Sequence, residues 1–193
     1  PCQSFLGPRL QASKNPDQAL PATIQSIVGA LFSSLEAHEQ FWLSQNGAKI
    51  APVFGFQSEL DLGPVRVNRK RMFEMFRTGI QQISSILEQI VSPETLEGIR
   101  KVAQAGGDRC HFSDELWVKT IYDFAASFHR SVMNRDHLLQ ALTPVYRGRI
   151  SSYLLENHGA SLEEIQARME SLEQEYERLK PYLVQTWSSP GAR

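Results

Sequence analysis

The feature that most constrains this chain is a recurring pair of signals from residue 68 onward: a helix-capping residue, then apolar residues every three or four positions. Asn68 precedes Met72, Met75, Phe76, Gly79, Ile80, Ile83, Ile86, Leu87 and Ile90. Asparagine, serine and aspartate cap helices because a short side-chain oxygen accepts an orphan N–H of the first turn. The three- and four-residue steps put every apolar side chain of the run on one face. Ser92-Pro93-Glu94 repeats the signal with a proline at the first helical position. Ser113-Asp114-Glu115 opens a run carrying Trp117, Ile121, Phe124 and Phe128, and Asn134 opens one carrying Leu138, Leu139 and Leu142. Pro144 is expected to break or kink that helix, with Val145 to Asn157 continuing it up to Gly159. Gly106-Gly107 reads as a turn.

Ser161-Leu162-Glu163-Glu164 is a capping box, and Leu162, Ile165, Met169, Leu172, Tyr176 and Leu179 follow at heptad spacing. A run this short is expected to pack within the chain or across a homodimer. Pro181 ends it, Tyr182 and Trp187 are placed to dock back, and residues 188–193 are expected to be a disordered tail. Upstream, Ile24, Ile27, Val28, Leu31, Phe32, Leu35 and Trp42 predict one amphipathic helix ending near Asn46-Gly47. His38 lies on that stripe and reads as a hydrogen-bonded core or edge histidine. The fold class is therefore mainly α, with residues 17–187 as one helical domain.

A chain of 193 residues with 41% hydrophobic and 21% charged residues can bury a sizeable core. Its formal net charge of −1 gives no overall attraction to nucleic acid or to an anionic membrane. No apolar run reaches the roughly 18 residues of a membrane span, so neither partner is expected. Cys2 and Cys110 are too few for a disulfide framework and suit reduced thiols in a cytoplasmic protein. Cys110 reads as a small hydrophobe despite its neighbour His111, and the histidines show no HExxH or ExxH spacing.

Two stretches do not fit the helical pattern. Residues 48–67 are punctuated by Pro52, Gly55, Gly63 and Pro64, with Pro52-Val53-Phe54-Gly55-Phe56 as an extended crossing. Its carboxylates Glu59 and Asp61 read as solvated. The cationic turn Arg69-Lys70-Arg71 opposes the helix dipole, so it calls for a compensating carboxylate, an anion or solvent. The other stretch is the beginning. Cys2-Gln3-Ser4-Phe5-Leu6 is strand-like and meets Gly7-Pro8. A lone strand cannot satisfy its own backbone, so residues 1–16 read as the last strand and exit loop of a catalytic domain lying upstream.

Leu6-Gly7-Pro8-Arg9-Leu10-Gln11-Ala12-Ser13, then Leu20-Pro21 and the helix from Ile24 to Phe32, resembles the end of the catalytic domain in retaining GT-A glycosyltransferases. The similar group contains glucosyl-3-phosphoglycerate synthase and the mannosylglycerate and glucosylglycerate synthases. Phe54-Gly55-Phe56, Asp114-Glu115-Leu116-Trp117, Tyr122-Asp123-Phe124 and Leu142-Thr143-Pro144 look like the helical C-terminal extension of its bacterial members. The resemblance implies a missing α/β nucleotide-binding domain, a nucleotide-sugar donor, a small hydroxy-acid acceptor and a divalent cation, Mg or Mn. It implies substrate-facing roles for Arg9 and Ser13. Gln11 falls where the family has a metal-binding histidine, a departure that exchanges an imidazole for a weaker amide oxygen.

Overall fold

A computed structural model describes residues 3–4, 16–44, 53–54 and 67–189 of the chain. Its centre is the crossing of two helices, α3 (Arg69–Gln82) and α7 (Arg135–Glu156). Asn68 caps α3 by accepting the Arg71 N–H at 3.0 Å, and Asn134 caps α7 by accepting from Asp136 and His137. The α3 face predicted from spacing is the buried one, with Met72, Phe73, Phe76 and Ile80 inside. The other helix has no single apolar stripe. Leu138, Leu139, Leu142, Val145, Gly148 and Ser152 are all buried, as expected of a central helix packed on several sides.

Glycine decides how close the two helices come. A Cβ on Gly79 would stand 2.5 Å from the Pro144 Cβ, and one on Gly148 would stand 2.7 Å from the Phe76 ring. Pro144 does not break α7, which runs continuously from Arg135 to Glu156. Proline brings no N–H for the carbonyl of Gln140, a cost accepted here where its ring packs directly on the bare backbone of Gly79.

The remaining elements, α1 (Pro16–Ala37), α2 (Glu39–Ser44), α4 (Ser84–Ile90), α5 (Pro93–Gln104), α6 (Asp114–His129), α8 (Leu162–Arg178) and α9 (Lys180–Ser188), gather around this pair. Helices α1, α3, α4, α5 and α6 all contact α7, while α8 and α9 pack on α6. An aromatic chain links the layers, with Phe73–Phe76 at 6.0 Å, Phe76–Phe112 at 6.4 Å, Phe112–Trp117 at 6.0 Å and Trp117–Tyr146 at 5.2 Å. Such pairs contribute about 0.5–1.5 kcal/mol each beyond the area they bury. Phe32 of α1 meets Phe128 of α6 edge-on at 5.5 Å. The mainly-α expectation holds, and no helix among the described residues is long and apolar enough to cross a membrane.

Two runs expected as single helices are divided. The run from Asn68 to Ile90 turns at Ile83, whose ψ of 16° leaves the helical region. Ser84-Ser85 follows, a pair of the kind found at helix kinks, and Arg100 anchors the Ser84 hydroxyl at 2.6 Å. The run from Ile24 to Trp42 turns at His38. There the Ser34 carbonyl accepts both the His38 N–H at 3.1 Å and the imidazole Nδ1 at 2.9 Å. His38 is an exposed, hydrogen-bonded edge residue rather than a core one. The heptad helix ends at Arg178, as expected just ahead of Pro181, and Pro181 lies in the first turn of the next helix, α9. Ser188 closes that helix, and residues 190–193 lie outside the described residues.

The close approach yields a measurable expectation. Gly148→Ala should lower the unfolding free energy by about 1–3 kcal/mol, the usual cost of overpacking a filled core, although alanine favours helix. Urea unfolding would measure it, and Phe76→Leu in the same chain should restore part of the loss. An unchanged or raised midpoint would show that the crossing has room to spare.

Candidate functional site

Arg9, Gln11 and Ser13 lie outside the described residues, as do Cys2, Glu59 and Asp61. The frame on either side of that loop is described. Gln3–Ser4 (β1) pairs in parallel with Val53–Phe54 (β2), in the register Gln3 to Val53 and Ser4 to Phe54. This corrects the expectation that the chain supplies no partner for its opening strand. Both stretches read as extended from the sequence, but that they pair with each other has no local signal. Downstream, α1 begins at Pro16 and is held on the bundle by buried Ile24 and Phe32. Arg135 at the head of α7 fixes its far end through Glu36 at 2.7 Å.

The basic turn of α3 finds the compensating carboxylate. Arg69 donates to Asp108 at 2.7 Å and to the Gly107 carbonyl at 2.5 Å. Asp108 is exposed, and the bond from Arg69 holds its carboxyl below the usual 3.8. Gly106, at φ 85°, makes the turn that brings Asp108 there.

Cys110 and His111 do not act together. The Cys110 thiol is buried, its Sγ pointing to the Gly148 carbonyl at 3.7 Å, and burial pushes its pKa up, which suppresses the thiolate. His111 turns outward to Glu156, Nδ1 to Oε1, at 2.8 Å. Ser152 also donates to Glu156 Oε1, while its Oγ accepts the Phe112 N–H at 2.7 Å. Serine, carboxylate and histidine thus stand in line, but the carboxylate is in the middle. In a hydrolytic triad the imidazole must touch the serine, so this arrangement fixes the segment before α6 and does not activate Ser152. Arg149 completes the clasp, donating to the Phe112 carbonyl and to Asp114. Among the described residues no group of three or more His, Cys, Asp or Glu could hold a metal ion.

Asp123 enters the sequence analysis only as part of Tyr122-Asp123-Phe124, with no role of its own. It sits between Tyr122 and Phe124 on a buried face, 1% exposed, accepting the Ser92 N–H at 3.0 Å and the Tyr182 hydroxyl at 2.6 Å. It thereby ties α6 to the start of α5 and to α9. Its neighbours at helical spacing are Lys119, Thr120, Ala126 and Ser127, so the stripe of Trp117, Ile121, Phe124 and Phe128 gives no signal of its burial. Burial raises its pKa from the ordinary 3.8, and hydrogen bonding from Tyr182, Ser92 and Thr95 only partly offsets that. The folded state therefore favours the protonated acid, a stabilisation present at low pH and lost as pH rises from about 4 through the raised value. Asp123→Asn should remove this slope, gaining on the wild type between pH 4 and pH 7 in urea titrations. A constant difference across that range would mean the carboxyl is ionised at little cost.

A groove of about 660 Å³ runs between α3 and α7, lined by Arg71, Thr78 and Gln82 on one side and Gln140, Thr143 and Arg147 on the other. Gly79 and Pro144 form its floor, and Pro21 of α1 reaches its edge. No protein-family model, curated protein or solved structure matches this chain.

Proposed function

We propose that this chain is the α-helical C-terminal region of a nucleotide-sugar-dependent glycosyltransferase. The transferred group is a hexose and the acceptor a small hydroxy acid such as glycerate or phosphoglycerate. The observation that carries the reading is the parallel pairing of Gln3–Ser4 with Val53–Phe54. Two strands of two residues are too little to be stable alone, and parallel strands belong in sheets covered on both faces. The pairing suits the margin of a larger α/β sheet, which is what a nucleotide-binding domain of this kind supplies. It stands just ahead of Arg9, Gln11 and Ser13, the loop on which the resemblance rests.

In this reading the anomeric carbon leaves the nucleotide diphosphate oxygen and bonds to an acceptor hydroxyl, with retention of configuration. Arg9 supplies positive charge toward the acceptor's acid group or the donor's phosphate, where a guanidinium binds strongly. Ser13 offers a hydroxyl near the acceptor. A divalent cation, where bound, would neutralise charge growing on the departing diphosphate. The described residues provide no ligand cluster for one, and Gln11 offers a single amide oxygen.

The test is hexose transfer from a nucleotide sugar to glycerate and 3-phosphoglycerate, by the 193-residue chain and by the full product of its coding sequence. The chain alone should be inactive and the full product active. Arg9→Ala should reduce kcat/KM by at least about tenfold, as expected for loss of a charge-assisted hydrogen bond. Turnover by the isolated chain, or a coding sequence with no nucleotide-binding domain upstream of Pro1, would overturn the proposal.

A second reading, an all-α dimerisation or interaction module without catalytic activity, draws on α8. Leu162 and Met169 on its heptad stripe are 77% and 51% exposed, while Leu172 and Tyr176 pack on the core. Analytical ultracentrifugation separates the two: a monomer at all concentrations removes the dimer seam.

A further inference from the structure

We infer that the groove between α3 and α7 is a binding site for a small organic anion, with the charged head at its arginine end and a hydroxylated body along its floor. The placement of donors carries this. The two helices run antiparallel across the groove, since Gly79 lies against Pro144 and Phe76 against Gly148. Arg71 and Arg147 therefore fall toward one end, Gln82 and Gln140 toward the other. Glu74, the carboxylate among the described residues that line the groove, is paired with Arg77 at 2.6 Å. Arg71 and Arg147 have interactions of their own. Each guanidinium carries five N–H donors, so it can add an acceptor without giving up the one it has.

The middle of the groove selects for shape. The Gly79–Pro144 contact closes the middle of the groove: the buried proline ring fills the bare side of the glycine, so a ligand body lies over an apolar seam between the two helices. Because residue 144 is proline, the Gln140 carbonyl receives no helical N–H from it, leaving an acceptor on this stretch of α7. Below, the Thr143 hydroxyl is buried without a hydrogen-bond partner among the described residues. The volume, about 660 Å³, is ordinary for a metabolite site. A phosphate and a carboxylate are both suitable heads, and bare inorganic phosphate would leave the amide end empty. The site belongs to the helical domain itself, so it stands whether or not the chain works with an upstream catalytic domain.

Titration of the 193-residue chain with glucose 6-phosphate, gluconate, inorganic phosphate and glucose, followed by calorimetry and amide NMR shifts, tests the inference. At least one hydroxylated anion should bind saturably and at least about tenfold more tightly than inorganic phosphate or glucose. Preference for glucose 6-phosphate marks a phosphate head, preference for gluconate a carboxylate head. Shifts should concentrate in α3 and in α7 around Pro144. Arg71→Gln, at an exposed position, and Arg147→Gln should each weaken binding by at least about fivefold. If the half-buried Arg147 variant fails to fold, the Arg71 variant decides. Gln140→Leu should weaken the organic anion and leave inorganic phosphate unchanged. No saturable binding, equal affinity for inorganic phosphate and the organic anions, or binding indifferent to these substitutions would overturn it.

Discussion

The structure depends on the contact between α3 and α7, where two glycines let backbone meet side chain. Gly79 receives the Pro144 ring, and Gly148 receives the Phe76 ring. Protein interiors are packed as tightly as organic crystals, so a crossing set this close fixes its neighbours. Phe76 in turn positions Phe112, Phe112 positions Trp117, and Trp117 meets Tyr146 on α7 again. The circuit begins and ends on the same helix. A change at the crossing is therefore felt in α6, which never touches it directly through Gly79 or Gly148.

Polar groups then fix what packing leaves free. Asp123 holds α9 through Tyr182 and the head of α5 through Ser92. Tyr122 reaches the Tyr176 carbonyl of α8 at 2.7 Å, and Trp187 reaches Glu39 of α2 at 3.1 Å. His129 stacks on Trp187 with ring centres 4.2 Å apart, while Trp42 meets the same indole edge-on at 5.1 Å. Trp187, near the end of the described chain, is thus where α2, α6 and α9 converge. Its burial agrees with the expectation that it docks back.

Local signals were legible in the sequence, and long-range ones were not. Asn68, Ser92, Ser113, Asn134 and Ser161 each cap a helix through their own side chain, as a short-range rule requires. The turns at His38 and Ile83 were missed because apolar spacing continues through them: periodicity reports which face is buried, not whether the axis bends. Pro144 predicts a break or a kink because proline opposes helix locally; α7 continues through it, and its ring packs on a glycine that lies far away in the sequence. The groove was hidden for the same reason, its donors divided between segments about 60 residues apart. For Arg9, Gln11 and Ser13 the sequence supplied a resemblance and nothing more, because their chemistry depends on what faces them.

The same geometry says how that loop would be coupled to the bundle. Helix α1 follows it in the chain and lies against α7, the helix most of the others touch. Ile24 and Phe32 are buried along its length, and Arg135 binds Glu36 near its end. Pro21, close to its start, borders the α3–α7 groove. Pro21 removes the N–H that the Asp17 carbonyl would receive, so the anchors Ile24, Phe32 and Glu36 hold α1 beyond its helix proline. In a transferase of the proposed kind, the helical region would act by fixing one end of the substrate loop. The amide oxygen of Gln11 is a weaker metal ligand than the imidazole that the resemblance implies at that position.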